Sequence, residues 1–273
     1  MTADASAKAM ESLMHVLIDF VDTARVHDQN FEIAQALVAH HDELADLSLR
    51  SMADLCFVSR ASFSRFCRFM GFDSFSEFKE ALDSTNYVLS DDYTKDFRRT
   101  LFQDSAMALG SYRQSLVQII NESLSDENLA LIPDVLEAMG SAKRTVFFSH
   151  HFMWNVGRYF QGKMLQMGPY VELYSAYEHQ LEAAESLMEG DVAFICSING
   201  SYFSHYADIT KAIYGSGATT IVMTQNRHAL NLNRADYVIT CGTTNENDIG
   251  KYAALMTIDY LVMAYLAKTQ AEA

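Results

Sequence analysis

SMADLCFVSRASFSRFCRFMG, residues 51–71, decides how this chain is read. Its pattern predicts two short helices broken by a tight turn. Ser48 or Ser51 caps the first helix, which buries Met52, Ala53 and Leu55. Ala53 is small enough to let the two helices cross closely. The turn spans Cys56 to Ser59 with Val58 inward, and Ser59 is a good N-cap for the second helix. That helix turns Phe63, Phe66 and Cys67 to a core and leaves Arg60, Ala61, Ser62, Ser64, Arg65 and Arg68 outside; Gly71 ends it. The following segment, FDSFSEFKEAL, makes a further helix with Phe75, Phe78 and Leu82 inward. Small polar residues at a helix start allow close approach to base edges, and arginines reach guanines or phosphates. Arg60, Ser62, Ser64, Arg65, Arg68 and, for a phosphate, Lys79 are therefore the candidate DNA contacts. The pattern by itself also fits an ordinary helical bundle with a solvated arginine face.

Working outward, the 273 residues carry a formal charge of −15, which opposes a DNA role because a duplex is a dense negative rod. Residues 48–72 run against that trend: Arg50, Arg60, Arg65 and Arg68 face Asp54 alone. Apolar content is 49 % and there are two prolines, enough to build cores and too few to mark a Pro-rich linker. The four cysteines, Cys56, Cys67, Cys196 and Cys241, are widely spaced in apolar runs and are expected as buried thiols in a reducing compartment. Residues 1–9 are polar and alanine-rich, unlike a secretory signal, and no apolar run nears the roughly 18 residues of a membrane span. A cytoplasmic, soluble protein is expected. Upstream of the opening motif, helices are predicted over 6–20 and from Glu32 to Ala39.

Residues 8–85 resemble the N-terminal helix-turn-helix domain of RpiR/MurR-type bacterial transcriptional regulators. The resemblance rests on Ala53, Val58-Ser59, the F-S-R-F run at 63–66, Arg68, and Gly71-Phe72 followed by Phe75, Phe78 and Lys79. One departure is Phe57, at a turn position where glycine is common and relieves strain at positive φ.

Residues 86–140 predict helices with an apolar stripe of Phe97, Leu101, Met107, Leu109, Tyr112, Leu116, Ile119 and Ile120, a face for a partner subunit. Ser125 starts a further helix, ended by Gly140. Beyond it the period changes. Strands are predicted at 144–149, 170–174, 191–197, 217–224 and 235–240, alternating with helices at 154–167, 179–188, 203–214 and 249–267. Short connections between alternating elements imply a parallel sheet covered on both faces. Ligands of such sheets sit at the C-terminal strand ends, here Ser149–Phe152, Ala176–His179, Ser197–Ser201, Thr224–Asn226 and Cys241–Glu246.

Residues 128–268 resemble the SIS, or sugar isomerase, domain. In related regulators this domain looks like a phosphosugar sensor in which a serine-rich loop and helix N-termini hold the phosphate. The family loop S-x-S-G-x-T stands here as Ser197-Ile198-Asn199-Gly200-Ser201-Tyr202. The first loop, expected to be glycine-rich with a serine, stands as Ser149-His150-His151-Phe152-Met153, with Met153 at the usual serine position. The resemblance implies effector contacts at Ser149, His150, His151, Ser197, Asn199, Gly200, Ser201 and Glu246. The two histidines either replace the missing donors or pack against Phe152 and Trp154, so phosphosugar binding is retained or altered.

The expected fold is an all-α helix-turn-helix domain (1–85), a helical connector (86–127) and a SIS-like α/β three-layer sandwich with a parallel sheet (128–273). The expected function is a DNA-binding transcriptional regulator sensing a small metabolite, a phosphosugar or other effector. As a homodimer or homotetramer it would read double-stranded DNA at a palindromic operator. The competing classes are a sugar-phosphate isomerase-like enzyme and a regulator whose degenerate SIS domain only oligomerises. Glu178-His179, His205 and Glu246 offer acid/base groups without a tight constellation, and no metal-ligand spacing occurs. No catalytic residue, metal or cofactor is expected, nor a membrane partner.

Overall fold

The computed structural model describes residues 13–83, 95–242 and 247–271. The chain divides into two compact units, 1–88 and 89–273.

The first unit is helical: α1 (Leu13–Thr23), α2 (Gln29–Ala39), α3 (Leu49–Leu55), α4 (Arg60–Phe69) and α5 (Phe75–Asp83). The start of the helix expected over 6–20 lies outside the described residues. Side-chain caps set the boundaries. Asp28, Ser48 and Ser59 accept the backbone N–H groups of Phe31, Ser51 and Ser62, each satisfying a donor that the first helical turn leaves unpaired. The core joins Leu17, Ile33, Leu37, Met52 and Ala53 to Phe63, Phe66 and Phe78, all with 0–1 % of their surface exposed. Phe78 is the hub. Its ring meets Phe63, Phe66 and Phe72 edge-on at 5.9, 6.1 and 5.4 Å, the geometry that aromatic quadrupoles favour.

The second unit begins with α6 (Lys95–Gln103), α7 (Ser105–Ser123) and α8 (Asp126–Ser141). The stripe expected along this connector divides. Ile119 enters the core of the sheet, whereas Leu101, Met107, Leu109 and Ile120 stay exposed. Helix α8 runs through Gly140 to Ser141, one residue past the expected stop.

Five strands follow: β1 (Thr145–Phe148), β2 (Val171–Leu173), β3 (Val192–Cys196), β4 (Thr219–Thr224) and β5 (Tyr237–Thr240). All pairs are parallel, in the order β2-β1-β3-β4-β5. The intervening helices are α9 (Phe152–Gln166), α10 (Tyr177–Glu185), α11 (Ser201–His205) and α12 (Ala207–Gly215), and α13 (Asn247–Ala271) closes the chain. Strand alternation feeds two cores. Phe147, Phe194, Cys196, Ile221, Met223 and Ile239 pack with α7, α8, α9 and α13. Val146, Phe148, Ala193, Ile195 and Val222 pack with α10, α11 and α12. Both faces are therefore covered, giving the three-layer sandwich that continuous apolar strands require. Gly157 lets α9 lie close on β1, since a Cβ there would stand 2.6 Å from Phe147 Cδ1. At the N-terminal end of the sheet Arg144 donates Nε and Nη2 to Glu172 at 2.7 Å each. That pair of hydrogen bonds holds the Glu172 carboxyl below its ordinary range.

The helix expected over 203–214 is instead two helices that meet at Tyr206. Tyr206 leaves helical geometry to stack on Tyr202 at 4.6 Å, and the break turns His205 and Tyr206 toward the end of β1.

Candidate DNA interface and effector site

On α4 the exposed and buried residues fall on opposite faces. Phe63, Phe66 and Cys67 are buried, and Arg60, Arg65 and Arg68 are exposed, with Ser62 and Ser64 half-buried between them. At 3.6 residues per turn, Arg60, Ser64 and Arg68 form one ridge with Arg65 beside it. Arg65 Nη2 donates to Ser62 Oγ at 2.9 Å, which leans its guanidinium over the start of the helix. Lys79 stands apart. Its ammonium donates to the carbonyls of Leu44 and Ala45, in the 3-10 turn between α2 and α3, so it fastens that turn as well as carrying charge. Phe57 keeps the turn that glycine would make more easily. It adopts φ +54, its N–H donates to Asp54 O at 3.1 Å, and its side chain is 96 % exposed.

In the second unit the strand order places a topological switch between β1 and β3, because their connections leave toward opposite edges of the sheet. The loops after these two strands, with the first residue of α11, carry seven of the eight expected effector residues. Ser149 is fully buried and its Oγ has no hydrogen-bond partner among the described residues. Ser197 Oγ accepts the Tyr202 N–H at 3.1 Å. Gly200 adopts φ +80, and a Cβ there would lie 2.9 Å from Asn226 Nδ2 and 3.0 Å from Ala229 Cβ. This tight turn brings Asn199, Ser201 and His150 together: Ser201 Oγ is 2.6 Å from Asn199 Oδ1 and 3.1 Å from His150 Nε2. Burial, then the imidazoles of His151 and His205, push His150 down to about 3, so it is neutral at physiological pH. His151 N-caps α9 at φ +52 without a side-chain cap bond, although its carbonyl accepts the Trp154 N–H at 3.0 Å, so the N-terminus of a 15-residue helix begins just after the β1 loop. Met153, at the family's serine position, is buried in the core. Glu246 lies outside the described residues.

One residue that holds this crevice was not among the expected ones. Gln180, 1 % exposed on α10, donates Nε2 to Ser149 O at 3.1 Å and accepts the Tyr202 hydroxyl at 2.6 Å. It ties the β1 loop to α11 through α10. Nothing local in the sequence marks such a bridge, because its partners are 31 and 22 residues away. Glu178 and His179 are exposed on α10, with the His179 ring near Tyr174. A separate groove of about 650 Å³ runs along α7 past Arg113, Gln118 and Glu122. All four cysteines are buried and unpaired, and burial raises Cys56 and Cys67 to about 11 and Cys241 to about 12, so they stay protonated. Among the described residues no helix is long and apolar enough to cross a membrane.

Residues 22–86 match the model of the helix-turn-helix domain, rpiR family. No curated protein matches the chain in sequence. Among solved structures, the Vibrio vulnificus NanR protein complexed with ManNAc-6P is similar at 16 % identity and a TM-score of 0.51. That likeness covers 94 % of this chain and 92 % of that one. E. coli CFT073 c3406, in complex with A5P, is similar at 13 % identity and a TM-score of 0.50, over 62 % of this chain and 93 % of that one. The sugar isomerase domain of an RpiR transcription factor from Sphaerobacter thermophilus is similar at 15 % identity and a TM-score of 0.45, over 62 % and 99 %. Residues 22–86 thus carry a helix-turn-helix domain that matches the rpiR family, and the chain shares its fold with the NanR protein along most of its length.

Proposed function

We propose that this chain is a DNA-binding transcriptional regulator whose SIS-like domain senses a phosphosugar. The observation that carries the reading is the face of α4, where three exposed arginines stand opposite a phenylalanine core in a chain of net charge −15. Exposed cations on the outer face of a second motif helix have little packing role and match a phosphate-flanked groove. The acidic remainder keeps non-specific affinity low, so specific binding depends on two heads acting together. We take the working form to be at least a dimer on an imperfect palindrome.

The effector class follows from the crevice and from the relatives. An uncapped helix N-terminus beside the unpartnered Ser149 hydroxyl and the Ser197 hydroxyl is a site for an anion. NanR of Vibrio vulnificus and the E. coli protein were solved with ManNAc-6P and A5P, and this chain shares their fold. A regulator rather than an isomerase is favoured because Glu178 and His179 lie exposed on α10 instead of converging on the crevice.

The test is fluorescence anisotropy of the purified protein on its own upstream DNA at two salt concentrations, with and without ManNAc-6P and A5P. Specific, salt-sensitive binding that a sugar phosphate shifts is expected. Turnover of a sugar phosphate without specific DNA binding would overturn the regulator.

A further inference from the structure

We propose that His150 determines effector specificity: Ser201 and Asn199 fix its ring as the Nε2–H tautomer, and its bare Nδ1 accepts a hydrogen bond from a hydroxyl or amide N–H of the effector. This rests on the effector reading above and names the part of the ligand that His150 reads.

Proton counting leads to the tautomer. Asn199 presents its carbonyl oxygen to the loop, because that atom receives the Ser201 backbone N–H at 2.9 Å. The Ser201 hydroxyl, 2.6 Å from the same oxygen, gives it its single proton. Ser201 Oγ therefore turns a lone pair toward His150 Nε2 at 3.1 Å, a favourable contact only when Nε2 carries hydrogen. The ring is neutral, so Nδ1 is left as an acceptor, and it is enclosed with no hydrogen-bond partner among the described residues.

A buried acceptor without a partner is disfavoured, and a ligand that supplies a donor removes that penalty on binding. A phosphate dianion has no proton to give, so Nδ1 does not suit it. The sugar portion does, through a hydroxyl or an N-acyl N–H. The surroundings leave a way in. The buried rings of Tyr202 and Tyr206 each lie 5.5 Å from His150, and Tyr177 stacks on Tyr206 and donates its hydroxyl to Asp208. The exposed rings of His151 and His205 lie near it as well, at 4.5 and 6.1 Å. Being exposed, these two can move aside for a ligand without disturbing the core.

The experiment uses the full-length protein. Nitrogen-15 NMR of its imidazoles, without ligand, is expected to show one histidine held as the Nε2–H tautomer without titration from pH 5 to 8, assigned by its loss in His150→Asn. Calorimetry with ManNAc-6P and A5P, beside thermal melts, then compares variants. His150→Phe is expected to weaken sugar-phosphate binding ~10- to 100-fold. His150→Asn, whose Oδ1 stands near the Nδ1 position, is expected to recover most of that loss at an unchanged melting temperature. An Nδ1–H tautomer, or a ring that titrates near neutrality, overturns the proposal, and this needs no change at the site. Parental affinity in the Phe variant, or no rescue by Asn, overturns it while leaving the effector reading intact. Failure of the parent to bind either sugar phosphate overturns both.

Discussion

The outer face of α4 and the crevice between β1 and β3 carry their chemistry in opposite ways. On α4 the side chains offered to a partner are exposed, and a separate set, Phe63, Phe66 and Cys67, holds the helix in place. In the crevice the two sets are nearly one. Ser149, Ser197, Tyr202 and Gln180 are buried, and most are hydrogen-bonded to one another or to the loops they shape. The difference teaches that substitutions on α4 report on recognition, whereas substitutions in the crevice report on recognition and stability together.

Gln180→Leu presses hardest on that distinction. It leaves the Ser149 carbonyl and the Tyr202 hydroxyl buried without their partners. A loss of about 3 kcal/mol in the stability of the α/β unit is expected, as two unsatisfied buried groups cost. Chemical denaturation followed by tyrosine fluorescence measures it. A loss under about 1 kcal/mol would show that the loops hold their shape without the bridge. The counterpart on α4 is Arg65→Ala or Arg68→Ala. Each is expected to weaken specific DNA binding by about tenfold and to reduce the salt slope by about one where the contact is to phosphate. Stability should move by no more than about 0.5 kcal/mol, the usual range for an exposed site. If both variants bind DNA as the parent does, the exposed face of α4 is not the reading face.

What the sequence disclosed follows the same division. The α4 face was legible because it depends on a local period: Ser59 caps, Phe63, Phe66 and Cys67 recur at helical spacing, and the rest is left outside. The strands were legible for the same reason, as short apolar runs between turn residues. The crevice was legible only in part. Its loops follow from the strand ends, so Ser149 to His151 and Ser197 to Ser201 were expected on the rim, and they follow β1 and β3; the strand order that makes this the switch was not legible. Gln180 was not, because a polar residue on a mid-length helix has no local mark of its partners. The break at Tyr206 was missed as well. It coincides with the stacking of Tyr206 on Tyr202, and no glycine or proline stands between them to mark it. The stripe on the connector read as a single face, yet α7 turns Ile119 into the core and leaves Met107 and Leu109 exposed. A helical period shows which residues share a side, not what that side meets.

Phe57 makes the smallest effect and the sharpest test of separability in the first unit. The turn between α3 and α4 needs a residue in left-handed geometry, and Phe57 supplies it at φ +54 while its ring stays 96 % exposed. A non-glycine residue there carries roughly 1–2 kcal/mol of steric cost. The ring buries almost nothing to offset it. Phe57→Gly relieves the strain and loosens the unfolded chain, two opposing effects whose balance is expected to favour the variant by about 1 kcal/mol. Phe57→Val, β-branched and worse suited to positive φ, should shift the melting temperature the other way. If Gly lowers stability, the side chain makes a contact that its exposure does not show. If Gly raises stability and DNA binding is unchanged, the turn only joins α3 to α4. If Gly raises stability and DNA binding falls, the strain is kept for recognition, and the reading face extends from α4 into the turn.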